Sequence, residues 1–175
     1  MKKGLILYKS KYGATGQYAN WLSTELHLPC IDADKITDEL LEPYEFVVIG
    51  SPVYYGELLA GSLLKKHFAI LKTKKLFLFI VCATPDSSEK EQDKILKENV
   101  PKALCGWDNI YFLPGRLIPE KLQFFDRAML RIATFFEKDS VRKKVMLNGF
   151  DSISKNNLID LFLAVKIHLM SHKHS

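Results

Sequence analysis

Four short runs of uninterrupted apolar residues, at positions 5–8, 46–50, 76–82 and 110–113, constrain what this chain can fold into. A strand with one wet face needs a polar residue at every second position. A run without that alternation suits a strand buried on both faces, the condition of a parallel sheet covered by helices on each side. A weaker strand at 30–33 falls between the first two. Helical periodicity fills the intervals. The segment 14–26 sets Tyr18, Ala19, Leu22 and Leu26 on one stripe; 58–71 does the same with Leu59, Leu63, Leu64, Phe68 and Leu71. A charged helix is expected over 88–100 and an apolar one over 152–170. Five strands interleaved with helices predict an α/β fold: a three-layer, doubly wound, five-stranded parallel sheet in one domain spanning 1–175.

The longest run free of charges and breakers, 76–83, is far short of the roughly 20 residues that a membrane span needs. The apolar stretch near Met1 is too short for a signal peptide. Cys30, Cys82 and Cys105 form no close pair, which speaks against a disulfide framework. A cytoplasmic globule is expected. His27, His67 and His168 are scattered, so no metal site is expected.

In an open α/β sheet, ligands bind beyond the carboxyl ends of the strands, where strand order reverses. The first such loop reads Ser10-Lys11-Tyr12-Gly13-Ala14-Thr15 and runs into a helix. It has neither a G-x-G-x-x-G nor a Walker A pattern. Its hydroxyls, together with the free N–H groups of a helix start, suit a phosphate. The alternative is an ordinary turn capped by Thr15. The loop after the third strand, Ser51-Pro52-Val53-Tyr54-Tyr55-Gly56, puts two tyrosines at the same sheet edge, where rings can stack on a flat heterocycle. After the fourth strand, Ala83, Thr84 and Asp86 lie in a small polar loop. A phosphate site, a ring site and a polar edge together fit flavin mononucleotide (FMN).

These three loops resemble those of the flavodoxin family. Ser10 to Thr15 follows that family's [ST]-x-[TY]-G-x-T pattern, and Gly50-Ser51-Pro52 follows its G-[ST]-P opening. The resemblance implies a flavodoxin-like sheet of order 2-1-3-4-5. It also implies that residues 10–15 hold the FMN phosphate, that 51–56 frame the ring, and that Ala83, Thr84 and Asp86 meet the ring's pyrimidine edge.

Charge sets the chain apart from the acidic electron carriers of that family. Lys and Arg number 25 against 20 Asp and Glu, a net +5. Between Pro114 and Met146 stand Arg116, Lys121, Arg127, Arg131, Lys138, Arg142, Lys143 and Lys144, against Glu120, Asp126, Glu137 and Asp139. A basic surround favours the reduced, anionic flavin and raises its potential. It also attracts anionic partners. Nucleic acid is not the expected partner, because the basic residues alternate with apolar ones. This insert, at about 115–147, is expected to contain a basic amphipathic helix over 121–137, with Leu122, Phe125, Met129, Ile132 and Phe136 on one stripe. Three roles are open to it: covering the sheet, lying on an anionic membrane from the cytoplasmic side, or lining a pocket for an apolar substrate with carboxylates.

The insert, running from Gly115-Arg116-Leu117 to Arg142-Lys143-Lys144-Val145, is similar to that of the flavodoxin-like protoporphyrinogen dehydrogenases. That similarity implies an FMN-dependent oxidoreductase with a quinone acceptor, in which Arg116, Lys121, Arg127 and Arg131 bind substrate carboxylates. The alternative is a simple electron carrier docking on an acidic redox partner. A response-regulator receiver is excluded, since Tyr8-Lys9-Ser10 and Gly50-Ser51 stand where receivers need acids.

Overall fold

The computed structural model describes residues 3–82, 89–104 and 106–171. Its central sheet runs β2-β1-β3-β5-β6, formed by β1 (Gly4–Tyr8), β2 (Cys30–Asp32), β3 (Phe46–Tyr54), β5 (Lys75–Cys82) and β6 (Ile110–Pro114). All four pairings along that path are parallel. This is the order expected from the sequence, with β6 as the fifth of the expected strands. The short β4 (Glu57–Leu58) adds antiparallel to the end of β3.

The uninterrupted apolar runs follow from burial on both sides. Leu5, Leu7, Val47, Ile49, Leu78 and Ile80 point into one core. It is closed by Leu41 of α2 (Asp38–Leu41), Leu63 and Leu64 of α3 (Gly61–Lys66), Leu71 of α4 (Phe68–Leu71) and Leu96 of α5 (Glu89–Asn99). Ile6, Val48, Phe77, Phe79 and Val81 point into the other. There they meet Tyr18 and Leu22 of α1 (Ala14–Leu26), and Leu161 and Val165 of α8 (Ile159–Met170).

Three elements differ from the sequence expectation. The apolar helix expected over 152–170 is α-helical only from Ile159, after a 3-10 turn at Lys155–Leu158. The helix expected over 58–71 is divided into α3 and α4 at His67, whose buried ring contacts the Asp38 carboxylate at 2.5 Å. The strand expected to end at Gly50 continues to Tyr54, because β4 pairs with it at Val53–Leu58 and Tyr54–Glu57. Tyr55 and Gly56 form the intervening two-residue turn at φ 51° and 86°. Positive φ at both centres is the geometry of a tight hairpin turn, and it strains a tyrosine.

The insert stands apart from the sheet layers. Arg116–Leu117 (β7) pairs with Phe150–Asp151 (β8) in a small ribbon, and α6 (Phe124–Phe136) packs beside α7 (Ser140–Asn148). Of the residues in α6 only Asp126 and Thr134 are buried. The helix is amphipathic as expected, but its apolar stripe divides. Met129 and Leu130 face a cavity at the sheet edge, whereas Phe124, Phe125, Ile132, Phe135 and Phe136 are exposed. Asp126 lines the same cavity as Met129 and Leu130. These exposed residues of the stripe do not cover the sheet.

Candidate functional site

The carboxyl ends of β1, β3 and β5 open into a cavity of about 400 Å³ roofed by the insert. A volume of this order is usual for a small-molecule site. Its first wall is the loop after β1, of which Ser10, Lys11, Tyr12, Ala14 and Thr15 line the space. The loop is drawn tight by the Gly13 N–H, which donates to Ser10 Oγ at 3.1 Å, and by the Lys9 N–H, which donates to the Gly50 carbonyl at 2.9 Å. Gly13, at φ 87°, turns the chain into α1 with no side-chain cap and no acid in the first turn. The N–H groups at that helix start are therefore left for an anion. Thr15 is buried, yet its Oγ1 has no hydrogen-bond partner among the described residues. An orphaned hydroxyl in a hydroxyl-rich loop at a helix start fits a phosphate oxygen as its missing partner.

The second wall is the end of β3 and its turn, through Pro52, Val53, Tyr54 and Tyr55. Tyr54 stacks on Tyr12 at 6.1 Å between centroids and meets Tyr55 edge-on at 5.2 Å. Ser51 is placed otherwise than expected. Fully buried, it accepts from the Ala60 N–H at 3.0 Å, donates to the Pro52 carbonyl, and holds the strand rather than a ligand. Gly13 and Gly56 shape their turns without lining the cavity. The expected contacts from Ala83, Thr84 and Asp86 lie outside the described residues. Val81 and Cys82 mark where that loop departs from β5.

The roof comes from the insert. Leu117, Ile118 and Leu122 contribute apolar surface from below α6; Met129, Leu130 and Ala133 contribute it from α6 and Met146 from α7. Arg116 and Lys121 line the same cavity. The Arg116 Nε also lies 3.4 Å from the Asp151 carboxylate. Arg127 and Arg131 instead line a neighbouring cavity with Glu120 and Thr134. The Arg127 guanidinium donates to the carbonyls of Glu120 at 2.6 Å and Leu122 at 3.2 Å, which anchors the turn that leads into α6. The four basic residues thus do not converge on one site.

Sequence reasoning missed the residue at the centre. Asp126 counted only as one acid among many bases, yet its carboxylate accepts from the hydroxyls of Tyr12, Tyr54 and Tyr55 and pairs with Lys11 at 2.7 Å. Burial pushes the Asp126 carboxyl up, but the hydrogen bonds from Lys11, Tyr12 and Tyr54 outweigh it and hold the group at about 2. The same contact raises Lys11. Burial first, then the hydrogen bonds with Tyr12 and Asp126, raise Tyr54, while burial first and Asp126 second raise Tyr55. A lone acid in an apolar, basic helix was the available signal. Among the described residues no cluster of His, Cys, Asp or Glu could hold a metal ion, and no helix is long and apolar enough to cross a membrane.

A doubly wound sheet with a phosphate-type loop after β1 and tyrosines after β3 is the architecture of a flavodoxin-like protein. Residues 5–143 match the flavodoxin domain family model, and the chain belongs to that family. It is 23% identical over 164 residues to the protoporphyrinogen IX dehydrogenase [quinone] of Escherichia coli K12, covering 87% of this chain and 91% of that protein. Among solved structures, it superposes on oxidised flavodoxin 2 from Bacillus cereus with a TM-score of 0.51 and 17% identity, over 94% of this chain and 99% of that one. A WrbA-like flavodoxin from Agrobacterium tumefaciens gives 0.50 and 16%, over 76% and 92%.

Proposed function

We propose that this protein binds FMN in the cavity at the sheet edge and works as an oxidoreductase of the protoporphyrinogen dehydrogenase type, with a quinone as acceptor. The observation that carries the flavin reading is the buried hydroxyl of Thr15 in the loop after β1, which has no partner among the described residues. Ser10, Lys11, Tyr12, Gly13, Ala14 and Thr15 would hold the phosphate through hydroxyls and backbone N–H groups. Tyr54 and Tyr55, with Pro52 and Val53, would frame the ring. Bound FMN supplies the electron-transfer chemistry, which no side chain here replaces. Arg116 and Lys121 bring positive charge into the same cavity and suit the carboxylates of an apolar substrate. The apolar roof of Leu117, Ile118, Met129 and Leu130 excludes water beside the ring.

The outward face of α6 suits a quinone acceptor dissolved in lipid. Phe124 is 90% exposed and Phe135 78%, with Arg127 and Arg131 along one flank. That combination supports peripheral contact with an anionic membrane.

Titration with FMN, followed by flavin fluorescence and visible absorption, tests the first step. One-to-one binding with a perturbed spectrum is expected, and a well-folded sample that takes up no flavin would remove the reading. Quinone-dependent oxidation of protoporphyrinogen by the loaded protein tests the second. Absence of that turnover, with rapid reduction by a flavodoxin reductase, would favour a simple carrier docking its basic insert on an acidic redox partner.

A further inference from the structure

We infer that Asp126 is a latch, a positioning residue whose carboxylate fixes α6 over the cavity and holds the two loops beneath it together. The inference deepens the flavin reading of the cavity and rests on it for what the latch encloses. Asp126 is 5% exposed and lies on the inward side of α6. Its Oδ2 accepts from the Tyr12 hydroxyl and from the Tyr54 hydroxyl at 3.0 Å, and pairs with the Lys11 ammonium at 2.7 Å. Its Oδ1 accepts from the Tyr55 hydroxyl at 3.2 Å. Two of these donors belong to the loop after β1 and two to the turn after β3. One carboxylate thereby joins both walls of the cavity to its roof.

Among the described residues, the other contacts that hold α6 are its packing beside α7 and a few local bonds. Thr134, its other buried residue, donates to the Leu130 carbonyl of the same helix at 2.7 Å. Arg127 bonds to the turn that precedes α6. The Gln123 N–H reaches Tyr12 Oη at 3.1 Å, on a hydroxyl that Asp126 itself orients. The apolar contacts at Met129 and Leu130 are half-buried. All four partners of Asp126 donate. Asn at this position therefore replaces one acceptor oxygen by an NH₂, which the Lys11 ammonium cannot accept and a tyrosine accepts only by giving up its own donation here, and it loses the charge that strengthens each bond.

Hydrogen exchange on the flavin-free protein tests the latch without any cofactor. Asp126→Asn should speed exchange of the α6 amides by about tenfold or more, while β3 and β5 keep wild-type protection. Tyr54→Phe combined with Tyr55→Phe removes two donors and leaves the sequence of α6 intact, so it should loosen the same segment in the same direction. That pair also carries the test should Asp126→Asn fail to fold. Unchanged exchange in α6, or loosening by Asp126→Asn alone, would overturn the latch. In the loaded protein, Asp126→Asn should accelerate release of FMN and of riboflavin by a similar factor, because the latch closes the cavity rather than holding the phosphate. Unchanged flavin release would also overturn it. A wild-type protein that binds no flavin but whose α6 responds to both variants would support the latch and remove the flavin reading.

Discussion

The side-chain amide of Asn99 is bonded to the tip of the hairpin that carries the two site tyrosines. Its Nδ2 donates to the Gly56 carbonyl at 3.0 Å, and its Oδ1 accepts from the buried Leu58 N–H at 2.9 Å. A third bond runs to the Ile95 carbonyl within α5. The hairpin holds Tyr55 at positive φ, a conformation that persists only where the surroundings impose it. Asn99→Ala should cost about 1–3 kcal/mol, chiefly by stranding the Leu58 N–H. Denaturant unfolding reads the loss, and FMN affinity should fall with it because Tyr54 and Tyr55 are no longer held. A variant as stable as wild type would show that the hairpin stands without this anchor.

The glycine that opens Gly50-Ser51-Pro52 has a packing cause. A Cβ at residue 50 would lie 2.1 Å from Cζ of Phe79, a ring fully buried in the neighbouring strand. Gly50→Ala should destabilise the fold by about 1–3 kcal/mol or more, since neither strand can move aside. Combining it with Phe79→Leu should recover part of that loss. Non-additivity in a double-mutant cycle would show it, whereas strictly additive losses would refute the clash.

Thr15 should behave in opposite ways with and without flavin. In the free protein its buried hydroxyl lacks a partner among the described residues, so Thr15→Val should leave stability unchanged or raise it by up to about 1–3 kcal/mol. With FMN the same change removes a phosphate donor and should weaken binding by roughly tenfold. Thermal unfolding without flavin and a fluorescence titration give the two readings. A flavin-free variant that loses stability would mean the hydroxyl has found a partner in the fold.

Membrane contact through α6 makes a demand on its outer face. Phe124 and Phe135 are almost free of the fold, so Phe124→Ser with Phe135→Ser should change stability by less than about 0.5 kcal/mol. The same pair should weaken binding to vesicles containing anionic lipid by about tenfold or more. Added salt should weaken wild-type binding too, by screening Arg127 and Arg131. Co-sedimentation that is insensitive to both would remove the membrane from the reading.

The strands were legible because burial on both faces leaves an unmistakable run of apolar residues, and their order was implied by the resemblance of the loops to the flavodoxin family. The first loop was legible because its hydroxyls and glycine lie together in the chain, and most of residues 10–15 and 51–56 line the cavity, Gly13, Ser51 and Gly56 excepted. The hairpin at Tyr55 was not, since tyrosine carries no local preference for positive φ. Periodicity showed that the insert helix is amphipathic but could not say which way it turns. Its inward side carries Asp126, whose tyrosine partners lie 114, 72 and 71 residues away in sequence. No window of neighbouring residues contains that information.

Acid should release α6 before it unfolds the sheet. The Asp126 carboxyl sits at about 2 in the folded protein, below its ordinary 3.8, because Lys11, Tyr12 and Tyr54 favour the charged form against the cost of burial. A depressed carboxyl contributes stability that is complete above its ordinary value and disappears as pH falls through the folded one. The contact should therefore be intact at pH 5, weaken below about pH 3.8 and be lost near pH 2. The two clusters that pack against the faces of the sheet are built from apolar side chains, which acid does not titrate. Acid-stable proteolysis between pH 5 and 2 should cut first within 124–136 in wild type, whereas Asp126→Asn should be open to cutting there at every pH. Simultaneous loss of α6 and the sheet on acidification would show that α6 is not separately held by this carboxylate.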